Sequence, residues 1–214
     1  VTVVDVNEPS LEAGKAYAEQ IMGTECTERR IAFHCQDFAS FVQDELEQNT
    51  QLGSERGQGG KNSPKAFDIV VAWHACGDLS DYAMEFAART NASFVICPCC
   101  YTKRYITGFE PQWIGDYCRE VSHTAKPIQS FSESYEVDIV TLQRLAEINE
   151  RTDVSQRAMM LINSMRMRSL EEKYHKQDQE RNVPTVASNK TKFWLEAYDI
   201  EHSSKNLVLV GMQQ

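Results

Sequence analysis

The sequence predicts an α/β fold, in which a mostly parallel sheet ends in a C-terminal antiparallel β-hairpin. Three observations support this prediction. Short apolar runs rich in β-branched residues alternate with segments of helical composition. Polar residues follow each apolar run at the point where the predicted strand ends. The last two predicted strands, TKFWLEAYDI and NLVLVGM, are joined only by the polar segment EHSSK, which is typical of a hairpin.

The first predicted elements are VTVVDV, a buried strand, and SLEAGKAYAEQIM, a helix that stops near Gly23. RIAFHCQDF is a second strand, and ASFVQDELEQ is the helix that follows it. Residues 49–65 hold four of the ten glycines and almost no apolar residues, so they are predicted to be a flexible loop within the domain.

The alternation then resumes. FDIVVAWHA and ASFVICP are predicted strands, and the helix LSDYAMEFAAR between them has Leu79, Ala83 and Phe86 on one face. Two helices, at roughly 136–150 and 153–176, precede the hairpin. The order β-α-β-α-β-α-β-α-α-β-β predicts a Rossmann-like sheet with helices on both faces.

Length and composition indicate one globular domain over residues 1–214, with 42% hydrophobic and 25% charged residues. No apolar run approaches the roughly 20 residues that span a bilayer, so no membrane segment is expected. The net charge of −9 argues against general nucleic-acid affinity. Seven cysteines, three of them within four positions, do not resemble a disulfide framework, and a reducing, cytoplasmic location is predicted.

Polar residues at the strand ends predict one shared ligand site, because ligands bind at the carboxyl ends of parallel strands. Asp5 is a candidate ribose ligand, or it caps the helix that starts near Pro9. Asp37 and Phe38 are candidate adenine neighbours, or a helix cap and a core side chain. Both interpretations remain open from the residues alone.

The segments HACGD and CPCC raise three alternatives. His74, Cys76 and Cys97–Cys100 contain enough donors for zinc, but the sequence has no second cysteine knuckle at the usual spacing, so no metal is predicted. A redox pair is disfavoured because CPC is not C-x-x-C. Buried thiols that pack a crowded sheet edge are the favoured interpretation. Gly77 is expected to supply an unusual backbone angle, and Asp78 to cap the next helix.

The segments VTVVDVNEPSLEAG, HACGDLSDYAM, FVICPCCYTKR and SQRAMMLINSMRMRSLE resemble the class I S-adenosylmethionine-dependent methyltransferase fold. They resemble in particular the methyltransferase family that includes the glutathione S-transferase C-terminal-domain-containing protein. The resemblance extends over nearly the whole chain, and the HACG and CPCC pair is its most specific part. It implies S-adenosylmethionine as the cofactor and an acceptor that is not defined, with RNA as the class suggested by analogy.

The resemblance also assigns roles to residues. His74 would be a base that accepts a proton from the acceptor, with Asp78 as a second catalytic residue. Cys99, Cys100 and Tyr101 would line the acceptor side. The residues assigned to the cofactor are Asp5, Asn7, Asp37, Phe38, His74, Ala75, Cys76 and Gly77.

The chain departs from the family pattern in one respect. The family's first strand and Gly-rich turn precede the acidic strand, and no counterpart lies upstream of Asp5, so an N-terminal piece is expected to be missing. A non-catalytic interaction module, and with less support a zinc or redox protein, remain alternatives. The helix at 157–176 carries Arg157, Arg166 and Arg168; a solvated face of mixed charge is favoured over an RNA-binding stripe.

Overall fold

The computed structural model describes residues 1–55, 67–114, 139–148, 151–180, 192–199, 201, 203 and 205–212. The chain divides into two compact units, Val1–Pro64 and Lys65–Gln214, each with its own sheet. The organisation of residues 1–214 as one domain stays a prediction.

The first unit contains a two-stranded parallel sheet, in which Thr2 is in register with Ala32 and Asp5 with Cys35. The two strands therefore end at the same edge of the sheet. Among its described residues, the buried apolar side chains are Leu11, Phe41 and Val42. Its elements are β1 Thr2–Asp5, α1 Glu8–Met22, α2 Thr24–Arg30, β2 Ala32–Cys35 and α3 Phe38–Glu55.

Capping explains where α1 begins and ends. The Asn7 side chain accepts a 3.1 Å hydrogen bond from the N–H of Ser10, and Pro9 occupies the first turn. The helix ends at Gly23, whose φ of +84° is readily adopted by glycine, as predicted. Helix α2 was not predicted, because TECTERR has no apolar periodicity.

Helix α3 corrects the predicted loop boundary. It continues to Glu55, so residues 49–55 are helical although their polar, glycine-containing composition predicts a flexible loop from residue 49 onward. The rest of that predicted loop, residues 56–65, lies outside the described residues.

The second unit contains a four-stranded sheet with the order β3-β4-β6-β5. Strands β3 and β4 are parallel, whereas β6 is antiparallel to both β4 and β5. The predicted hairpin is confirmed. β3, β4 and β5 run in the same direction and β6, which lies between β4 and β5, runs opposite to them, so the sheet is mixed. Its elements are β3 Ile69–Ala75, α4 Asp78–Thr90, β4 Ser93–Pro98, α5 Ile139–Ala146, α6 Thr152–Glu180, β5 Lys192–Ala197 and β6 Leu207–Met212.

The core of the second unit lies on the central strands and beneath α5 and α6. Phe94, Ile96 and Leu209 are fully buried in the sheet. A second apolar cluster joins Tyr101 and Trp113 to the two helices, with Met159 and Ile162 of α6 among its members. The two helices predicted at 136–150 and 153–176 are confirmed in the described parts of those ranges. Among the described residues, no helix is both long and apolar enough to cross a bilayer.

Candidate active site

His74 lies in a β-bulge at the C-terminal end of β3. Trp73 pairs with Cys97 and Ala75 pairs with Pro98, so His74 is the extra residue of the bulge. Its φ is +56°, a region that costs a residue other than glycine roughly 1–3 kcal/mol. The side chain is exposed, and its ring is 5.9 Å from the Trp73 ring in an edge-on arrangement. Bulges and strained backbone of this kind cluster at functional sites.

Gly77 brings the end of β3 against the loop that follows β4. Its N–H donates a 2.5 Å hydrogen bond to the carbonyl of Cys100, and its φ is +56°. A Cβ atom at this position would overlap the carbonyl group of Lys103. The predicted unusual backbone angle is therefore confirmed, and the close approach of the loop is a second reason for glycine. Ala75, just before it, is buried, and its carbonyl accepts a hydrogen bond from the Ser80 hydroxyl.

Asp78 anchors the same loop from the first turn of α4. Its carboxylate is 1% exposed and accepts hydrogen bonds from the N–H groups of Tyr105, at 2.8 Å, and Ile106, at 3.3 Å. Gly77, not Asp78, is the N-cap of α4, so the expectation that Asp78 caps this helix is wrong. The carboxylate holds the loop of residues 99–107 in place.

Three thiols meet where β3 and β4 end. The Sγ atoms of Cys76 and Cys100 are 3.4 Å apart, those of Cys99 and Cys100 are 3.7 Å apart, and all three lie within 4.8 Å of one another. Burial raises the pKa of Cys99 and of Cys100, and the neighbouring Cys76 thiol raises both further. Cys97 is buried in the sheet and is not one of the three. We call Cys76, Cys99 and Cys100 the thiol cluster.

Tyr101 anchors the loop of residues 99–107 to the apolar core of the second unit. Its side chain is 1% exposed, and its hydroxyl accepts a 3.1 Å hydrogen bond from Nδ2 of Asn163. Its N–H donates to the carboxylate of Glu147. Burial raises the pKa of Tyr101 to about 12. The ring is part of the core, and the place of Tyr101 on the acceptor side stays a prediction.

A buried arginine connects α6 to Gly77, which follows β3, and to Asp81 of α4. The sequence pattern predicts this arginine on a solvated helix face. Arg166 of α6 is 2% exposed; its Nη2 donates to the carbonyl of Gly77 at 3.2 Å and to Oδ2 of Asp81 at 3.1 Å. Its guanidinium lies between the rings of Tyr101 and Trp113, 5.4 and 5.3 Å from their centres. Arg166 is thus a core residue, and the prediction of a solvated face is wrong for it.

The predicted nucleoside residues of the first unit lie at the ends of β1 and β2. Asp5 accepts a 2.8 Å hydrogen bond from the N–H of Asn7, and both residues are exposed. Asp37 accepts hydrogen bonds from the N–H and hydroxyl of Ser40, at 2.9 and 2.5 Å, which lower the pKa of this carboxyl. Phe38 stacks on Phe41 with ring centres 6.4 Å apart. These local contacts fit the helix-start interpretation, and the ribose and adenine roles stay predictions.

A family model described as "Methyltransferase domain" matches residues 1–105, which is 105 of the 214 residues. The matched residues include the ends of β1 and β2, with Asp5 and Asp37, and the ends of β3 and β4, with His74 and the thiol cluster.

Curated relatives match over a short stretch. The protein named "Glutathione S-transferase C-terminal domain-containing protein" is 57% identical over 35 residues in Bos taurus and in Homo sapiens, and 54% identical over 35 residues in Mus musculus. The stretch is 16% of this chain and only 6% of the length of each of these relatives. No solved structure matches the chain significantly. Residues 1–105 are therefore similar to the methyltransferase domain family, in agreement with the resemblance of the sequence.

Proposed function

We propose that this chain acts in S-adenosylmethionine-dependent methyl transfer, with the acceptor held beside the ends of β3 and β4. The family match supports methyl transfer in general. The observation that carries the finer proposal is the bulge at His74, where a strained backbone turns an exposed imidazole outward at the end of a parallel strand. Residues with strained backbone cluster at active sites and ligand clamps.

The cofactor supplies a methyl group bonded to a sulfonium, which an acceptor displaces in line. His74 would accept the proton that the acceptor loses, because a neutral imidazole can take up a proton near physiological pH. Asp78 would act as a positioning residue, since its carboxylate is committed to Tyr105 and Ile106. Cys99 and Cys100 would border the acceptor, and Ala75, Cys76 and Gly77 would lie beside the cofactor.

For the nucleoside part, we propose Asp5 and Asn7 as ribose contacts and Asp37 with Phe38 as adenine contacts. Asp5 is exposed at the end of β1, and Asp37 follows the end of β2 at the same edge of the sheet. Carboxylates at strand ends can accept hydrogen bonds from ribose hydroxyls or an exocyclic amine.

RNA is the acceptor class that we propose. Lys103, Arg104 and Tyr105 are exposed on the loop that Gly77 and Asp78 anchor, and Nζ of Lys103 is 5.8 Å from the centre of the Tyr105 ring. Two cations beside an exposed ring are the features that bind phosphates and stack on unpaired bases. The buried Arg166 cannot contribute to such a surface. A reducing, cytoplasmic location suits this function and the free thiols of the described residues.

Calorimetry with S-adenosylhomocysteine on this chain tests the proposal. We expect Asp5→Asn and Asp37→Asn to weaken binding, and Asp44→Asn, which changes an exposed carboxylate on α3, to leave it unchanged. If the folded chain does not bind, the methyltransferase proposal is wrong and an interaction module is the better description.

A further inference from the structure

We propose that Cys76, Cys99 and Cys100 form a zinc site with three thiolate ligands and an open fourth position. This inference goes beyond methyl transfer and does not depend on it. Zn–S bonds of about 2.3 Å put the sulfurs of a tetrahedral zinc site about 3.8 Å apart. The observed separations of 3.4 and 3.7 Å, with all three Sγ atoms within 4.8 Å, are close to that value.

The three sulfurs are held in place by the surrounding backbone. Cys76 is fixed relative to Cys100 because the N–H of Gly77 bonds to the Cys100 carbonyl. On the other side, the N–H of Tyr101 donates to Glu147 and so fixes the residue that follows the cluster. A site that is already assembled in this way does not have to order its ligands when the ion binds, which favours binding.

The loop beyond the cluster is anchored as well. Asp78 accepts hydrogen bonds from Tyr105 and Ile106, and Gly77 lies against the Lys103 carbonyl. The segment that carries Cys99 and Cys100 is therefore held by these contacts after it and by the pairing of Pro98 with Ala75 before it. This distinguishes the cluster from three cysteines that meet on an unconstrained loop.

The chemistry of the donors selects the metal. Thiolates are soft ligands that prefer Zn²⁺ or Cu⁺ over Mg²⁺ and Ca²⁺, which prefer oxygen. All three cysteines are only partly buried, so a water molecule or another ligand can reach a fourth position, and zinc sites with three protein ligands keep such a position. Lys103, three residues beyond Cys100, is exposed and interacts electrostatically with it, which offsets the excess negative charge of three thiolates around one Zn²⁺.

The unsubstituted chain provides the first test. After purification under reducing conditions without added metal, we expect it to bind one equivalent of Zn²⁺ in competition with a chromogenic chelator. X-ray absorption of the zinc-loaded protein should show three sulfur neighbours at about 2.3 Å and one oxygen or nitrogen neighbour. Co²⁺ should give thiolate-to-cobalt charge-transfer bands and the visible bands of a tetrahedral site.

Single substitutions provide the second test. We expect Cys76→Ser, Cys99→Ser and Cys100→Ser each to weaken zinc binding by more than about 100-fold, because even residues that only support a metal ligand contribute 10- to 100-fold. Cys35→Ser, on β2, and Cys26→Ser, on α2, are the matched controls and should bind zinc like the unsubstituted chain. Circular dichroism checks that each variant is folded.

Four results would overturn the proposal. The first is a reduced chain that takes up no zinc, and the second is uptake of Cu⁺ alone with only sulfur neighbours. A Cys76–Cys100 disulfide that forms in air, in a chain that binds no zinc when reduced, would identify a redox pair instead. Equal binding by all five variants would place the zinc elsewhere. The absorption spectrum decides the question on the unsubstituted chain if a variant fails to fold. Calorimetry with S-adenosylhomocysteine on the unsubstituted chain is a separate measurement, so failure of the zinc proposal and failure of the methyltransferase proposal can be told apart.

Discussion

The N–H of Gly77 and the carbonyl of Cys100 are joined by a 2.5 Å hydrogen bond, although 23 positions of the chain separate the two residues. This bond fastens the end of β3 to the loop after β4. It places Cys76 beside Cys100 and brings the Lys103 carbonyl against the Cα of Gly77. The thiol cluster and the exposed segment Lys103–Tyr105 both depend on this contact.

Gly77→Ala should therefore be strongly destabilising. A side chain at positive φ costs about 1–2 kcal/mol, and overpacking against Lys103 adds about 1–3 kcal/mol. Gly108→Ala is the matched control, since Gly108 has a φ of +78° and an added Cβ there would have nothing within 4 Å, so only the backbone cost applies. Urea unfolding measures both variants. Equal losses of unfolding free energy would show that the Lys103 contact is unimportant.

Arg166→Met should lower the unfolding free energy by about 3–5 kcal/mol, because it leaves the buried carboxylate of Asp81 without its cationic partner and with only the Trp113 indole N–H as a donor in the described contacts. Arg168→Met on the same helix is the control. Arg168 is exposed and bonds to Glu172 at 3.1 Å, so we expect a loss of no more than about 0.5 kcal/mol. If the two variants lose the same stability, Arg166 does not hold α6 to α4 as the structure indicates.

Tyr101 makes stability depend on pH in alkaline solution. Its pKa is raised by burial from 10.0 in the unfolded reference to about 12 in the folded state, so the folded state keeps the proton longer. This contribution to stability is complete below pH 10 and is lost as the pH rises toward 12. Tyr101→Phe should flatten the loss of stability across this window. Tyr17→Phe, which removes an exposed hydroxyl, should keep the original slope of unfolding free energy against pH.

His74→Asn tests the proposed base. Asparagine tolerates positive φ but cannot take up a proton near neutral pH, so the bulge is retained while the base is removed. We expect kcat to fall by about 10²- to 10⁴-fold, with unchanged binding of S-adenosylhomocysteine. His34→Asn, on β2, is the control and should keep kcat. An unchanged kcat in the His74 variant would remove this residue from the mechanism.

Local patterns were enough to predict most strands and helices. The hairpin, the helix stop at Gly23 and the special backbone angle at Gly77 all follow from residues that are adjacent in the sequence. Helix α2 was missed because its seven residues have no apolar period, and Thr27 is its one buried side chain. Composition alone could not show that α3 continues to Glu55.

The candidate site was predicted less completely, because long-range contacts decide it. Cys76 and Cys100 are 24 positions apart, and no known ligand spacing connects them. Arg166 was expected on a solvated face because its neighbours in sequence are charged, whereas its partners, Asp81 and the Gly77 carbonyl, are more than 80 positions away. Tyr101 likewise belongs to the core only because distant residues such as Asn163 pack and bond against it.

The bulge at His74 also constrains the length of β3. Before it, odd-numbered residues such as Val71 and Trp73 face outward while Val70 is buried; after it, the phase is inverted and Ala75 is buried. Removing one residue between Val70 and Ala75 would eliminate the bulge and restore regular alternation. This segment should therefore tolerate many side-chain substitutions but no insertion or deletion. A deep insertion–deletion scan would show this as an abrupt loss of tolerance to changes of length at the end of β3.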